Sequence, residues 1–163
     1  MSNIPALDGV HHLKLPVSDL ERSLHWYRSR LGYEIGIEFT EQGVLMGYAL
    51  DHPRGGPMLA LRLDPDRAKA AAGFDYFAIG VPGKAALEEL AARLTARGDA
   101  HAGVHEATIG WILPHLHDPD GHEVRFYTTE HHTEPGPEGL RVDNPRESAA
   151  ARETGRRQGN EQR

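Results

Sequence analysis

Hydrophobic and polar residues follow the same order of patterns in two successive parts of the chain. In the first part Leu13, Leu15 and Val17 alternate with more polar neighbours, which indicates a half-buried strand. Residues 18–21 fit a capping box that begins a helix with Ser18 as its cap, and Gly32 supplies a left-handed end. Further strands are predicted over residues 33–40, 44–50 and 58–63.

The second part repeats this order at an offset of about 64 residues, a length typical of a duplicated supersecondary unit. Phe77, Ile79 and Val81 share one face of a strand predicted over residues 74–81, and a helix is predicted over residues 84–97. Strands are predicted over residues 100–104, 108–117 and 123–128, with residues 64–73 as a connector holding one helical turn. Each part therefore predicts a β-α-β-β-β unit.

Composition excludes several classes of function. The chain has 163 residues with a formal net charge of −6 and only three lysines, whereas nucleic acids and anionic membranes require a basic face. It has no cysteine, which excludes disulfides, thiolate metal sites and a cysteine nucleophile. No apolar run is long enough to span a bilayer and no secretory leader is recognisable, so we expect a cytoplasmic protein.

The character of the sequence changes at residue 130. Residues 130–163 hold six Arg and seven Asp or Glu with hardly any large apolar side chain, so they bury too little surface to offset their ordering entropy. One interpretation is a solvated polar tail that follows a domain over residues 1–129. The alternative is a short helix near residues 145–154 that packs on a partner.

Several motifs together resemble one family, the vicinal oxygen chelate superfamily of glyoxalase I, bleomycin-resistance proteins and extradiol dioxygenases. The resemblance spans roughly residues 9–128 and is carried by His12, Asp19-Leu20, Trp26-Tyr27, Leu31-Gly32-Tyr33 and the run from Asp118 to Tyr127, Asp-Pro-Asp-Gly-His-Glu-Val-Arg-Phe-Tyr. It implies an α+β fold in which two tandem βαβββ modules, about 9–63 and 73–128, form a curved eight-stranded cleft. It also implies a homodimer.

The resemblance assigns four metal-ligand positions, and three of them depart from the family pattern. His12 matches the first ligand, but Ala60, Tyr76 and Arg125 occupy the other three positions. A methyl group coordinates nothing, a neutral phenol binds a divalent ion poorly, and a guanidinium repels it. We therefore expect no metal at this site and no other cofactor.

Strand parity, carried over from the family, predicts a set of residues that face a small-molecule ligand. The set is His12, Lys14, Tyr76, Trp111, His115, Glu123, Arg125 and Tyr127, accompanied by Ala60, Arg62, Ala78 and Leu113. Arg125 and Lys14 would bind an anionic group while the aromatic rings stack on the ligand. In the competing interpretation these charges neutralise one another, for example Glu123 with Arg125, Arg62 or Lys14.

The leading prediction of function is a metal-independent protein that binds a small anionic or aromatic molecule. The alternative is an enzyme: a metal-dependent lyase, isomerase or dioxygenase with altered ligands such as His12, His115 and Glu123, or a metal-free isomerase with His12 or Tyr76 as acid or base. A third hypothesis is a partner-binding module that docks through its tail. Asp118 and Asp120 are read as a turn rather than as paired catalytic carboxylates.

Overall fold

The computed structural model describes residues 7–132. These residues form two compact units. The first comprises the described residues up to Phe74 together with Asp118–His122, and the second comprises Asp75–His117 and the described residues from Glu123 onward. The helix considered near residues 145–154 lies outside the described residues. No helix within residues 7–132 is long and apolar enough to cross a membrane.

The first unit holds a four-stranded mixed sheet with two helices. Its strand order is β1-β4-β3-β2, in which β1 runs parallel to β4 and the other neighbours are antiparallel. Its elements are β1 His12–Val17, α1 Leu20–Leu31, β2 Glu34–Glu41, β3 Val44–Asp51, β4 Met58–Leu63 and α2 Pro65–Ala71.

Helix α1 forms where the apolar spacing predicts it, but its cap differs from the prediction. Asp19 is the N-cap, and its carboxylate accepts a hydrogen bond from the backbone N–H of Arg22 at 2.9 Å. Ser18 is therefore not the cap, and its hydroxyl bonds Asp120 instead. Gly32 ends the helix in the left-handed conformation, as predicted, with φ at 79°.

The second unit repeats the architecture with shorter strands. Its strand order is β5-β8-β7-β6, with β5 parallel to β8 and the remaining pairs antiparallel. Its elements are β5 Ala78–Val81, α3 Lys84–Ala96, β6 His105–Glu106, β7 Trp111–Leu113 and β8 Arg125–Thr128. Both units thus carry the predicted β-α-β-β-β order, and the α+β class is confirmed.

The shortening of β7 has a local backbone cause. Pro114, which follows the strand, has no N–H to donate to a ladder, and His115 adopts a positive φ of 64°. The predicted strand over residues 108–117 therefore stops at Leu113. The strand predicted over residues 100–104 is displaced to His105–Glu106.

Candidate functional site

The first sheet has one face turned toward α1 and one turned away from it. Tyr48, whose hydroxyl donates to Glu21 of α1, lies on the helix side with the buried Leu61. The opposite side, called the distal face below, is centred on Gly47, Ala49 and Ala60, which are neighbours across β3 and β4. All three are buried, so small side chains form the floor of this face.

Larger apolar side chains stand beside that floor on β2. Ile37 lies opposite Ala49 and Phe39 lies opposite Gly47, and they are 51% and 45% exposed. A register shift between Ile35 and Ile37 turns these two isoleucines to opposite faces, because Ile35 pairs with Leu50 on the helix side. A Cβ at the intervening Gly36 would lie 2.1 Å from Oδ2 of Asp51, so a larger residue there would displace this exposed carboxylate.

The distal face also carries charge. Lys14 is paired with Ala60 in the register of β1 and β4, and the guanidinium of Arg62 forms a two-pronged ion pair with Glu41 at 2.6 and 3.0 Å. The hydrogen bond from Arg62 has the largest effect on the pKa of Glu41 and lowers it. Burial opposes this effect, and the charges of Arg62 and Lys14 add smaller lowering contributions, so the pKa is lowered overall. His12 lies two residues before Lys14 on the same strand, exposed, with its Nδ1 2.9 Å from Nδ1 of His11.

Glu41 was absent from the predicted site residues. A count by twos from the start of β2 assigns Glu41 to the wrong face, because Gly36 is an extra residue in this strand, between Ile35 and Ile37. The available signal was the run Glu41-Gln42-Gly43, a tight hairpin that ends β2 beside Arg62.

In the second unit, Arg125 lies between two carboxylates. Its Nη1 is 2.8 Å from Oδ2 of Asp75, and its Nε and Nη2 are each 3.2 Å from Oε1 of Glu123. The backbone N–H of His115 donates to the same Glu123 oxygen at 2.9 Å, while the His115 ring lies 3.6 Å from Oε2. Three predicted site residues, His115, Glu123 and Arg125, therefore lie together. The fourth member of the cluster, Asp75, was not among the predicted residues.

Glu123 is ionised and internally satisfied. Burial alone would raise its pKa, but the hydrogen bond from the His115 backbone and the Arg125 guanidinium outweigh burial and lower the pKa. Two carboxylates therefore compensate the single Arg125 charge. These contacts favour the competing interpretation, in which Arg125 is neutralised internally, and the binding of an anionic ligand by Arg125 stays a prediction.

The predicted parity of Trp111 and Leu113 is also wrong. His117 pairs with Glu123, and Leu113 pairs with Phe126. Leu113 and His117 are four residues apart, whereas their partners are three apart. The segment that runs on from β7 to His117 therefore contains one extra residue. The bulge flips Leu113 and Trp111 away from the Arg125 side.

Trp111 accordingly lies on the α3 side of the sheet. The ammonium group of Lys84, in α3, lies 5.8 Å from the centre of its ring. His115, within the bulge, stays beside Glu123.

The two predicted tyrosines occupy different environments. Tyr76 precedes β5 rather than lying within it and is 57% exposed. Tyr127 lies on β8 opposite Gly80, with Ala78 and Arg125 paired two positions earlier, and its hydroxyl accepts a hydrogen bond from Ile109 N–H at 3.4 Å.

The Asp118–Gly121 segment is a turn, as predicted, but one tied down by a buried polar network. The Asp118 carboxylate accepts hydrogen bonds from the backbone of Asp120 at 3.0 Å and of His122 at 2.9 Å, and from the Tyr27 hydroxyl at 2.9 Å. Burial raises the pKa of Asp118 and also raises that of Tyr27. His122 is 1% exposed and its Nε2 lies 2.7 Å from the Pro16 carbonyl oxygen.

Asp120 extends the same network. Its carboxylate accepts from the backbone and hydroxyl of Ser18 and from Arg22 at 3.0 Å, and its side chain is 6% exposed. Every one of these groups belongs to the first unit. The two aspartates therefore hold structure, which agrees with reading them as a turn.

The residues at the four assigned metal positions do not fit a divalent ion. Ala60 is a buried methyl group, Tyr76 is an exposed phenol, and Arg125 is a cation already engaged by two carboxylates. Within residues 7–132, no three His, Asp or Glu side chains converge in a group able to hold a metal. These four positions therefore do not supply the ligands that a metal-dependent reaction would need.

The fold is similar to that of several solved structures. The structure resembles a glyoxylase/bleomycin resistance protein/dioxygenase domain from Frankia sp. EAN1pec, with 26% identity, 76% of this chain and 98% of that chain covered, and a TM-score of 0.61. It also resembles a lactoylglutathione lyase from Agrobacterium tumefaciens, with 20% identity, 77% and 96% covered, and a TM-score of 0.61.

A third similar structure is TnmS3, described as an antibiotic binding protein from Streptomyces sp. CB03234. It is 20% identical, 77% of this chain and 98% of that chain are covered, and the TM-score is 0.60. No curated protein matches the chain. The sequence profile of the Glyoxalase/Bleomycin resistance protein/Dioxygenase superfamily matches residues 9–126, and the chain belongs to this superfamily.

Proposed function

We propose that this protein binds a small molecule with an aromatic or other apolar body on the distal face of its first sheet, without a metal ion. The observation that carries the proposal is the floor of Gly47, Ala49 and Ala60 beside the exposed Ile37 and Phe39. Small side chains in the floor take up little space, and the exposed apolar side chains beside it gain from being covered by a ligand.

The residue chemistry at the family's metal positions favours binding over metal-assisted turnover. An alanine, an exposed phenol and a neutralised guanidinium stand at three of the four positions. Similarity to TnmS3, described as an antibiotic binding protein, adds support for a binding role. The competing function, a metal-dependent lyase, isomerase or dioxygenase with altered ligands, is an outcome that the metal test in the Discussion would reveal.

The experiment compares two isoleucines of one strand. Ile37→Ala removes an apolar group from the distal face, whereas Ile35→Ala removes the same group from the helix side. With 1-naphthalenemethanol as a neutral aromatic probe in calorimetric titration, Ile37→Ala should weaken binding about four- to fifteenfold, the contribution of one to two methylene groups. Ile35→Ala should leave the affinity unchanged. Equal effects of the two variants, or no binding by the wild type, would contradict the proposal.

The proposal further includes a homodimer in the cytoplasm. The family resemblance supports the dimer, and the cysteine-free composition is compatible with a reducing compartment. Native mass spectrometry of protein purified from its own host tests the oligomer, and it would report a bound small molecule or metal in the same spectrum.

A further inference from the structure

The Arg62–Glu41 pair has the form of a guanidinium holding a bound carboxylate. Nη1 and Nη2 of Arg62 each meet a different oxygen of Glu41, at 2.6 and 3.0 Å. This is the fork geometry by which arginine recognises the carboxylate of a ligand. The Glu41 carboxylate therefore occupies the place that an incoming carboxylate would take.

A second cation lies on the same face of the sheet. Lys14 is on β1, beside β4, and its charge makes the smallest contribution to lowering the Glu41 pKa. With Arg62, Lys14 and Glu41, this part of the distal face carries two positive charges and one negative charge. Removing the carboxylate of Glu41 would leave the Arg62 guanidinium without its anionic partner, on a face that also carries Lys14.

The pair is also easy to open. The side chains of Arg62 and Glu41 are 32% and 59% exposed, and exposed ion pairs are weak because water and salt screen them. Glu41 is the last residue of β2, directly before the turn at Gln42 and Gly43, whose φ angles are 50° and 80°. Its side chain can turn toward water without disturbing a buried neighbour.

We propose that Glu41 is a placeholder, and that a ligand carrying a carboxylate beside an aromatic body binds Arg62 by replacing it. This inference rests on the proposed function, because the apolar body of the ligand would lie on Gly47, Ala49 and Ala60 next to Arg62. It moves the anion-binding role from Arg125, which two carboxylates neutralise, to the first unit.

The test uses 1-naphthoate and the neutral 1-naphthalenemethanol in calorimetric titrations. Glu41→Gln removes the competing carboxylate and should raise the affinity for 1-naphthoate about fivefold. An exposed ion pair contributes up to about 1 kcal/mol, so the Arg62–Glu41 pair lowers the fraction of protein with a free Arg62 by about that factor. The affinity for 1-naphthalenemethanol should not change. Arg62→Gln should weaken 1-naphthoate about tenfold or more and leave the neutral probe unaffected.

A matched control separates local competition from a change in net charge. Glu38→Gln removes one negative charge from the same strand, but Glu38 pairs with Tyr48 and lies on the helix side. It should leave the 1-naphthoate affinity unchanged. Equal gains from Glu38→Gln and Glu41→Gln, or no gain from Glu41→Gln, would overturn the placeholder.

The two proposals fail differently. If 1-naphthalenemethanol binds with the Ile37 dependence described above while 1-naphthoate is insensitive to Glu41 and Arg62, the placeholder fails and the binding function stands. If neither probe binds the wild type or Glu41→Gln, both are overturned.

Discussion

Tyr27 donates its phenolic hydrogen to Oδ2 of Asp118 at 2.9 Å, although 91 residues separate them along the chain, and both side chains are buried. A buried hydroxyl and a buried carboxylate each need a partner, and here they supply one another. The bond connects α1 to the Asp118–His122 segment within the first unit.

Removing the Tyr27 hydroxyl should destabilise the protein. Tyr27→Phe leaves Oδ2 of Asp118 unpaired, which should lower the free energy of unfolding by about 1–3 kcal/mol. The measurement is urea unfolding followed by circular dichroism. Tyr33→Phe is the control, because the Tyr33 hydroxyl donates to the neutral Pro57 carbonyl and should cost less. Equal losses would contradict a special role of the Tyr27–Asp118 bond.

The raised pKa of Asp118 predicts a pH dependence with a definite sign. Burial makes the folded state hold the Asp118 proton more tightly than the unfolded chain, whose value is about 3.8. The stabilisation is complete below that pH and is lost as pH rises through the folded pKa. The free energy of unfolding of wild type minus that of Asp118→Asn should therefore fall from about pH 4 upward. A difference that rises with pH would refute this assignment.

Arg125 should matter more for stability than Arg62. Arg125→Met deprives the buried Glu123 of its guanidinium partner and should cost about 1.5–3 kcal/mol, the worth of a hydrogen bond to a charged group. Arg62→Met breaks only the exposed pair with Glu41 and should cost less. Urea unfolding of both variants at neutral pH measures the difference.

The same Arg125 variant has a predicted pH profile. Because the folded-state pKa of Glu123 is lowered, its stabilisation is present above the unfolded value of 4.5 and is lost as pH falls through the folded value. The gap between wild type and Arg125→Met should shrink as pH falls below about 4.5. A gap that stays constant to acid pH would show that Glu123 is not the partner that matters.

Divalent metals should not stabilise the dialysed protein. A ligand at a hundredfold excess over its Kd adds about 2.7 kcal/mol to the free energy of unfolding, a change that a thermal melt detects readily. Because Ala60, Tyr76 and Arg125 are unsuited as ligands, we expect no shift with Zn²⁺, Ni²⁺, Mn²⁺ or Fe²⁺. A rise in Tm with one metal that disappears in His12→Ala would establish the metalloprotein alternative.

The order of the elements could be predicted because it depends on short-range patterns. The spacing of Leu20, Leu24 and Tyr27 predicts the buried side of α1, and all three are buried. The alternation of Leu13, Leu15 and Val17 likewise predicts β1. A repeated pattern then gives both β-α-β-β-β units.

The chemistry of the candidate site could not be predicted in the same way, because it depends on register. One extra residue at the Pro114–His115 bulge turns Trp111 to the α3 side, and no alternation of apolar residues marks that bulge. The pairs Arg125–Asp75 and Arg62–Glu41 join residues that are far apart in sequence. Charge partners at such separations follow from the folded backbone and not from local patterns.

The irregular course of β2 has a consequence for the protein at high concentration. In the part of the chain described here, this eight-residue strand is one of the two outer strands of its sheet, and all its residues are exposed. Such an edge is a template for intermolecular pairing and fibril growth. Two register shifts in its pairing with β3 and the like charges of Glu34, Glu38 and Glu41 oppose that pairing. The extra residue at Gly36, which turns Ile37 and Glu41 to the distal face, therefore also protects against aggregation.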